Sequence, residues 1–323
     1  MDISFVIPCY CAEKNIEHVI KKIYNAMMIR PEVSFEIILV NDHSKDNTWE
    51  KIKEISRNHK EVIGVNLSKN FGQHNALMAG FKVTQGHLIM TSDDDGQTPV
   101  DRVWDFVKKI EEGCDVVCAK YIERKRKGLG RKVGSYLNEY MLCHILEKPE
   151  DVALASFFMA KRFVISEICR YEQAFPYMAG LLLRTTRNIG NIELVQESRE
   201  SGSSGYNLKK LLKLWINGFT SFSVKPLRAF VKLGFCIAFL GLVIGLGTII
   251  RKIVYSSYVL VGYTSVIAIM CILGGMNLAV VGIVGEYIGR MYMCINSQPQ
   301  YVIKNYVKDG SEVNELQNTE KII

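Results

Sequence analysis

From residue 3 to residue 119, short runs of β-branched and aromatic residues alternate with stretches of helical spacing, and this alternation restricts the possible folds more than any other feature. Ile3–Ile7, Phe35–Val40, Val62–Asn66, His87–Met90 and Asp115–Ala119 read as buried strands, each too short for a helix. Between them, Glu13–Met28 lines up Ile16, Val19, Ile20, Ile23 and Met27 on one helical face, and Gln73–Val83 and Val100–Ile110 supply further helices. A polar loop, Asn41–Thr48, caps the helix that follows the second strand. Strands separated in this way by helices predict an α/β fold with a mostly parallel sheet. Ligands of such sheets gather beyond the carboxyl ends of the strands. The polar loops Pro8–Glu13, Asn41–Thr48 and Asp93–Gln97 all fall there.

The last of these loops carries Asp93, Asp94 and Asp95 in succession, and Gly96 and Pro99 stop the preceding strand. In extended backbone Asp93 and Asp95 share a side. Two hard oxygen donors so placed suit Mg²⁺ or Mn²⁺ that keeps waters and takes its other ligands from a substrate diphosphate. A solvated acidic turn is the alternative reading of the same residues, and the neighbouring loops favour the metal-and-diphosphate one.

Farther along, Arg124–Gly128, followed by Arg131 and Lys132, is a cationic loop that reads either as a solvated charge run or as a segment attracting phosphates. Asn207–Phe219 is amphipathic, with Leu208, Leu211, Leu212, Trp215 and Phe219 opposite Lys209, Lys210 and Lys213, as expected of a helix in the headgroup layer. Ala229–Ile250 holds one charge, Lys232, and Val259–Gly285 holds none, so each is long enough to span a bilayer. Residues 201–285 contain no Asp or Glu, so part of the +7 net charge is concentrated around these apolar stretches. That location points to anionic lipid and not to nucleic acid, for which no motif is present. The expectation is a catalytic domain over 1–206, an amphipathic segment over 207–228, and a transmembrane hairpin over 229–290 with spans 229–250 and 259–285. A cytoplasmic tail over 291–323, polar and disordered after Asp309, completes it. Both ends are expected on the cytoplasmic face of the cell membrane, and Gly241, Gly245, Gly282, Gly285 and Gly289 offer small faces for contact within the hairpin or for a homo-oligomer. The nine cysteines, lacking zinc-ligand spacing, read as reduced thiols.

With these landmarks in place, the sequence resembles the family 2 glycosyltransferases that charge polyprenyl phosphate, the group of dolichyl-phosphate mannose synthases and bacterial undecaprenyl-phosphate sugar transferases. The matching stretches are Val6–Tyr10 with Glu13 and Asn15, Val40–Ser44 with Asp46 and Thr48, and Leu67–Gly72. Asp93–Gln97 with Pro99, Arg199 with Gly202, Ser204 and Tyr206, Lys225–Arg228, and Gly285–Arg290 follow in the order expected of that family. The resemblance implies a GT-A, Rossmann-like domain, a nucleotide-sugar donor, a divalent metal and inverting transfer of one sugar to a polyprenyl phosphate. It further implies that Pro8, Tyr10 and Glu13 line the nucleotide pocket and that Asp42 holds the base. Asp93 and Asp94 belong to the donor site and Asp93 sits at the diphosphate, with Asp95 as direct metal ligand. Gln97 faces the sugar or acceptor, and Arg199, Ser204 and Arg131 meet phosphates.

Four features depart from the family pattern, one being the Asp94-Asp95-Gly96 core, which differs from the commoner Asp-Ala-Asp-Leu. Cys11 stands where Asn is frequent, Asn41 where Asp is frequent, and Ala155–Met159 corresponds to an element that often carries a proposed base. Ser156 is no general base, yet a phosphate monoester with a second pKa near ~6 is largely dianionic at neutral pH and needs positioning more than deprotonation. The absence of an Arg-Trp pair argues against a processive polysaccharide synthase. A non-catalytic nucleotide- or lipid-binding adaptor, or an enzyme with another acceptor, is the competing reading.

Overall fold

The computed structural model describes residues 1–122, 151–173, 176–195, 263–295 and 299–314, with 143, 148, 149, 234, 239 and 243 isolated between them. The chain divides into two compact units, Met1–Asn217 with Gln298–Ile323, and Gly218–Ser297.

The first unit is built on a nine-stranded sheet. In chain order its elements are β1 (Ile3–Cys9), α1 (Ile16–Met27), β2 (Phe35–Asn41), α2 (Thr48–Asn58), β3 (Val62–Leu67), α3 (Gln73–Val83) and β4 (Leu88–Thr91). A 3₁₀ turn (Val100–Arg102) leads into α4 (Val103–Glu111), followed by β5 (Val116–Ile122), β6 (Phe158–Lys161), α5 (Arg162–Cys169), α6 (Met178–Thr185) and β7 (Ile189–Val195). After the second unit the chain adds β8 (Ile303–Lys308) and β9 (Ser311–Asn314). The strand order is β7-β5-β6-β4-β1-β2-β3-β8-β9.

The centre of this sheet matches the expectation from the sequence. β4, β1, β2 and β3 run parallel, in the register Val6↔Thr91, Cys9↔Asn41 and Asn41↔Asn66. Their apolar residues are buried on both faces, as a parallel sheet covered by helices requires. Phe5, Ile7, Ile37 and Leu39 join one core with Ile16, Ile23 and Phe106 of the covering helices. The opposite face receives α3 at very short range. A Cβ on Gly80 would lie 2.4 Å from Val6 Cγ1 and 3.0 Å from Val40 Cγ2, so glycine lets this helix approach the strands.

The flanks correct the expectation of a mostly parallel sheet. β6 pairs antiparallel with both β4 and β5, and β8 pairs antiparallel with β3 and with β9. The fifth strand therefore lies not beside β4 but one strand farther out, with β6 inserted between them. The expectation of disorder after Asp309 is corrected for residues 311–314. Residues 303–308 alternate inward Ile303, Asn305 and Val307 with outward Lys304, and 311–314 turn back along them through Gly310 at φ 71°.

At the amino ends of the strands a buried polar cluster fastens β6 and α5 to the sheet. Ser4 Oγ donates to Glu36 Oε1 (2.6 Å), and the Gln85 and Gly86 amides donate to the same carboxylate. Arg162 donates to the carbonyls of Thr84 and Gly86.

In the second unit the chain forms α7 (Tyr263–Ile295), a helix of 33 residues. Val266, Met270, Leu278, Val281 and Ile288 on it are exposed. Among the described residues alone no helix is long and apolar enough to cross a membrane; several residues inside α7 fall outside that description. Side chains added at Gly282, Gly285 or Gly289 would meet nothing within 4 Å among the described residues. The first expected span, 229–250, and the amphipathic segments lie outside the described residues, apart from isolated positions.

Candidate active site

The carboxyl ends of β1, β2 and β4 lie side by side, and the loops that leave them are laced together by hydrogen bonds from backbone to side chain. The Tyr10 amide donates to Asp94 Oδ2 (2.9 Å), the Cys11 amide to Ser44 Oγ (3.0 Å) and the Ala12 amide to Thr48 Oγ1 (2.9 Å). Asp46 accepts from the Thr48 hydroxyl (2.6 Å) and the Thr48 amide, which caps α2 from one residue before its formal cap. Glu13 accepts from both the amide and the side chain of Asn47 (3.3 and 3.2 Å). The backbone is forced into uncommon geometry in two of these loops, with Cys11 at φ 56° and His43 at φ 55°. Asparagine tolerates that left-handed region better than cysteine, which gives a physical sense to the frequent Asn at the position of Cys11.

The acidic triplet divides its work among three carboxylates. Asp94 is turned onto the Tyr10 amide. Burial pushes its pKa up to about 6 against the pull of that amide, and repulsion from Asp93 and Asp95 adds to the rise. Asp95, half-buried, accepts from the Gln97 amide (3.1 Å) across Gly96, whose φ of 72° makes the turn. Asp93 is gripped on both oxygens, by Gln73 Nε2 (2.9 Å) at the start of α3 and by Ser156 Oγ (3.0 Å) just before β6. The Lys22 ammonium donates to the Gly96 carbonyl (3.0 Å). Three carboxylates gathered in one turn repel one another, an arrangement that a cation would stabilise.

Asp42, almost fully buried, accepts from the Phe71 and Gly72 amides (2.7 and 2.8 Å), and burial raises its pKa against those two hydrogen bonds. It thus pins the turn that opens α3, where Gly72 sits at φ 89°. Pro8 is buried within β1, and Tyr10 is 47% exposed at the rim. Of the residues expected to form the site, the fold brings together Pro8, Tyr10, Glu13, Asp42, Asp93, Asp94, Asp95 and Gln97. Arg131, Arg199 and Ser204 lie outside the described residues.

Sequence reasoning missed Gln73, Ser156 and Tyr121 as members. Tyr121, at the end of β5, has its phenol pKa raised by burial and by the negative charge of Asp93 and Asp95. Ser156 was visible as the residue in the place of a base, but its contact with Asp93 depends on β6 pairing antiparallel beside β4. Among the described residues no cluster of three or more His, Cys, Asp or Glu could by itself hold a metal ion. Any cation here would need oxygens from a substrate or water to complete its shell.

A loop site of this kind at the carboxyl ends of parallel strands fits an enzyme acting on a phosphorylated ligand, and the comparisons with known proteins give its class. Residues 4–169 match glycosyl transferase family 2, and residues 225–291 match the GtrB C-terminal hairpin. The chain belongs to glycosyl transferase family 2. Among its relatives, the bactoprenol glucosyl transferase of Shigella phage SfX is 32% identical over 307 residues, covering 94% of this chain and 99% of that one. A prophage bactoprenol glucosyl transferase homolog of Escherichia coli (strain K12) is 30% identical over 310 residues, 95% and 100% of the two chains. Among solved structures, glucosyl-3-phosphoglycerate synthase from Mycobacterium tuberculosis in complex with Mn²⁺ and UDP-glucose superposes with a TM-score of 0.51 at 20% identity. That match covers 68% of this chain and 77% of the synthase, and it establishes a shared GT-A-type fold.

Proposed function

We propose that this glycosyltransferase moves one glucose from UDP-glucose to bactoprenol phosphate, a polyprenyl phosphate, at the cytoplasmic face of the cell membrane. The observation that carries the reading is the acidic turn. Asp94 is spent on the Tyr10 amide, which leaves Asp93 and Asp95 half-buried on either side of it at the mouth of the donor loops. The relatives' activity, shared along nearly the whole chain, supports sugar and acceptor.

In this reading Tyr10, Glu13 and Asp42 frame the nucleotide, Asp42 by fixing the Phe71–Gly72 turn against the β2 loop. Asp95 and Asp93 would hold Mg²⁺ or Mn²⁺, which when bound offsets the charge that develops on the leaving diphosphate. The grip of Gln73 and Ser156 keeps Asp93 aimed, so no side-chain reorganisation is needed as the sugar–phosphate bond breaks. Ser156 itself supplies no base beside Asp93. An acceptor phosphate already ionised needs only to be placed in line behind the sugar, which gives inversion at the anomeric carbon. Gln97 faces the sugar or acceptor, and Arg131, Arg199 and Ser204 are assigned to phosphates.

The exposed apolar side chains of α7, with the charge-free stretch 259–285, support a membrane hairpin over 229–290. Self-association through the glycine faces of that hairpin is part of the proposal. The domain division becomes 1–206 together with the returning strands, then 207–228, then the hairpin. Transfer of radiolabelled glucose from UDP-glucose to undecaprenyl phosphate, with Mg²⁺ or Mn²⁺ and with chelator, tests the reading. Chelator-sensitive label in the lipid phase is expected; label from a different nucleotide sugar would replace the donor. No lipid label from any donor would overturn the reaction.

A further inference from the structure

Three asparagines stand opposite one another in register across β2, β3 and β8, pairing Asn41 with Asn66 and Asn66 with Asn305. All three are buried, at 3%, 7% and 8% exposure. Their side-chain amides form one chain: Asn41 Nδ2 donates to Asn66 Oδ1 (2.8 Å), and Asn66 Nδ2 donates to Asn305 Oδ1 (2.9 Å). Asn305 Nδ2 in turn donates to Glu312 Oε1 of β9. At the other end Asn41 Oδ1 accepts from the Ser44 amide (3.2 Å), and Ser44 Oγ accepts from the Cys11 amide (3.0 Å). The neighbouring Tyr10 amide holds Asp94. An unbroken path of hydrogen bonds and one peptide step thus joins β9 to the acidic turn.

The chemistry of the terminus gives this path a direction. A carboxylate only accepts, so Glu312 draws the NH₂ group of Asn305 toward itself and leaves the Asn305 oxygen for Asn66. The same choice passes along the ladder, so Asn41 must present its oxygen, and not its NH₂, to the Ser44 amide. A reversed Asn41 would set two donors face to face and leave a buried amide unpaired. The loop that ladder holds, 41–48, is one wall of the donor pocket, and β8 and β9 follow α7 in the chain.

Building on the donor site of the proposed function, we propose that Asn305 and Glu312 are positioning residues. The β8–β9 hairpin sets the conformation of the donor loops through the asparagine ladder, so donor binding depends on strands made after the apolar helix.

The test uses the full chain in detergent, with UDP-glucose and undecaprenyl phosphate as probes. Asn305→Asp places a second carboxylate against Glu312 and breaks the ladder there. The donor KM is expected to rise about three- to tenfold, the worth of one lost hydrogen bond, with acceptor KM and kcat within about twofold of wild type. Adding Glu312→Gln to Asn305→Asp restores a donor at 312 and an acceptor at 305, and is expected to return the donor KM to near the wild-type value. Amide exchange of the peptide covering 41–48 should quicken in the single variant and recover in the double. An unchanged donor KM and exchange in Asn305→Asp overturns the inference, as does a double variant that shows no recovery. Equal rises in donor and acceptor KM also overturn it, since they would mean general loosening. Glu312→Ala alone, at an exposed position, removes the acceptor and keeps the test open if Asn305→Asp does not fold; it is expected to quicken exchange of 41–48, and unchanged exchange overturns the inference. A wild-type chain inactive with UDP-glucose would refute the proposed donor, while the exchange measurement would still decide the ladder.

Discussion

The middle of the sheet and its flanks follow different rules. β4, β1, β2 and β3 are parallel, each linked to the next in sequence by a helix, and their carboxyl ends carry the donor loops. β6 on one side and β8 on the other are antiparallel strands brought in from distant parts of the sequence. Yet both flanks reach into the site, β6 through Ser156 onto Asp93 and β8 through Asn305 toward the loop of Asn41. The middle supplies the groups that face the ligand, and the flanks fix how those groups point. A site can therefore be read from local pattern while its supports cannot.

The largest effect should come from the middle. Asp95→Ala is expected to lower kcat/KM at least ~10³-fold with folding intact, as for loss of a main electrostatic stabiliser. Glucosyl transfer assays on folded protein check it, and near-normal activity would remove Asp95 from the catalytic machinery.

Next in size is a junction between middle and flank. His74 on α3 packs edge-on against Tyr177, which precedes α6, with ring centroids 5.9 Å apart. Burial lowers its pKa from 6.5 to about 4. The folded state therefore binds the proton less tightly than the unfolded chain. The neutral imidazole's contribution is present above pH 6.5 and is lost as pH falls through about 4, by at most ~3 kcal/mol. Comparing denaturant unfolding of His74→Phe with wild type across that window should remove most of this slope; parallel curves would show that the junction does not hold the ring dry.

A smaller change probes the middle alone. Gly80→Ala puts a methyl group into Val6 and Val40, and should cost about 1–3 kcal/mol in stability without altering donor KM in the surviving folded protein. Thermal melts with paired kinetics would check both halves. The smallest effect tests the flank. Ser156→Ala removes one of the two donors on Asp93 and should reduce kcat about tenfold, with Ser156→Thr recovering most of it. A loss matching Asp95→Ala would mean that Ser156 acts on substrate directly, which would blur the distinction between the regions.

Legibility followed the same division. The sequence reading placed α3 at Gln73–Val83, as found, because both of its ends are signalled locally, by Gly72 before it and by the return of strand spacing after it. β1 to β4 were found within a few residues for the same reason. β6 is only Phe-Met-Ala-Lys, four residues with no alternation of their own, and its direction is decided by partners some 70 residues earlier. In β8 the alternation exists, but an inward polar Asn305 hides it, and 303–308 is not read as a strand from the sequence. That asparagine is buried because Asn66 and Glu312 satisfy it, a fact available only once three strands are side by side. The acidic turn was read as a site, whereas the inward turn of Asp94 and the double grip on Asp93 depend on Tyr10, Gln73 and Ser156 arriving from elsewhere.

The pairing of β8 with β3 also orders events during synthesis. β3 is complete at Leu67, but its outer neighbour begins at Ile303, so the ribosome must make more than two hundred further residues, α7 among them, before that edge is closed. Until then the nascent sheet offers an unpaired row of amides and carbonyls, the kind of edge to which other chains add strands. Closure of that edge therefore waits until β8 has been made, and a chain cut short after residue 297 would be prone to aggregate even with every donor-site carboxylate present.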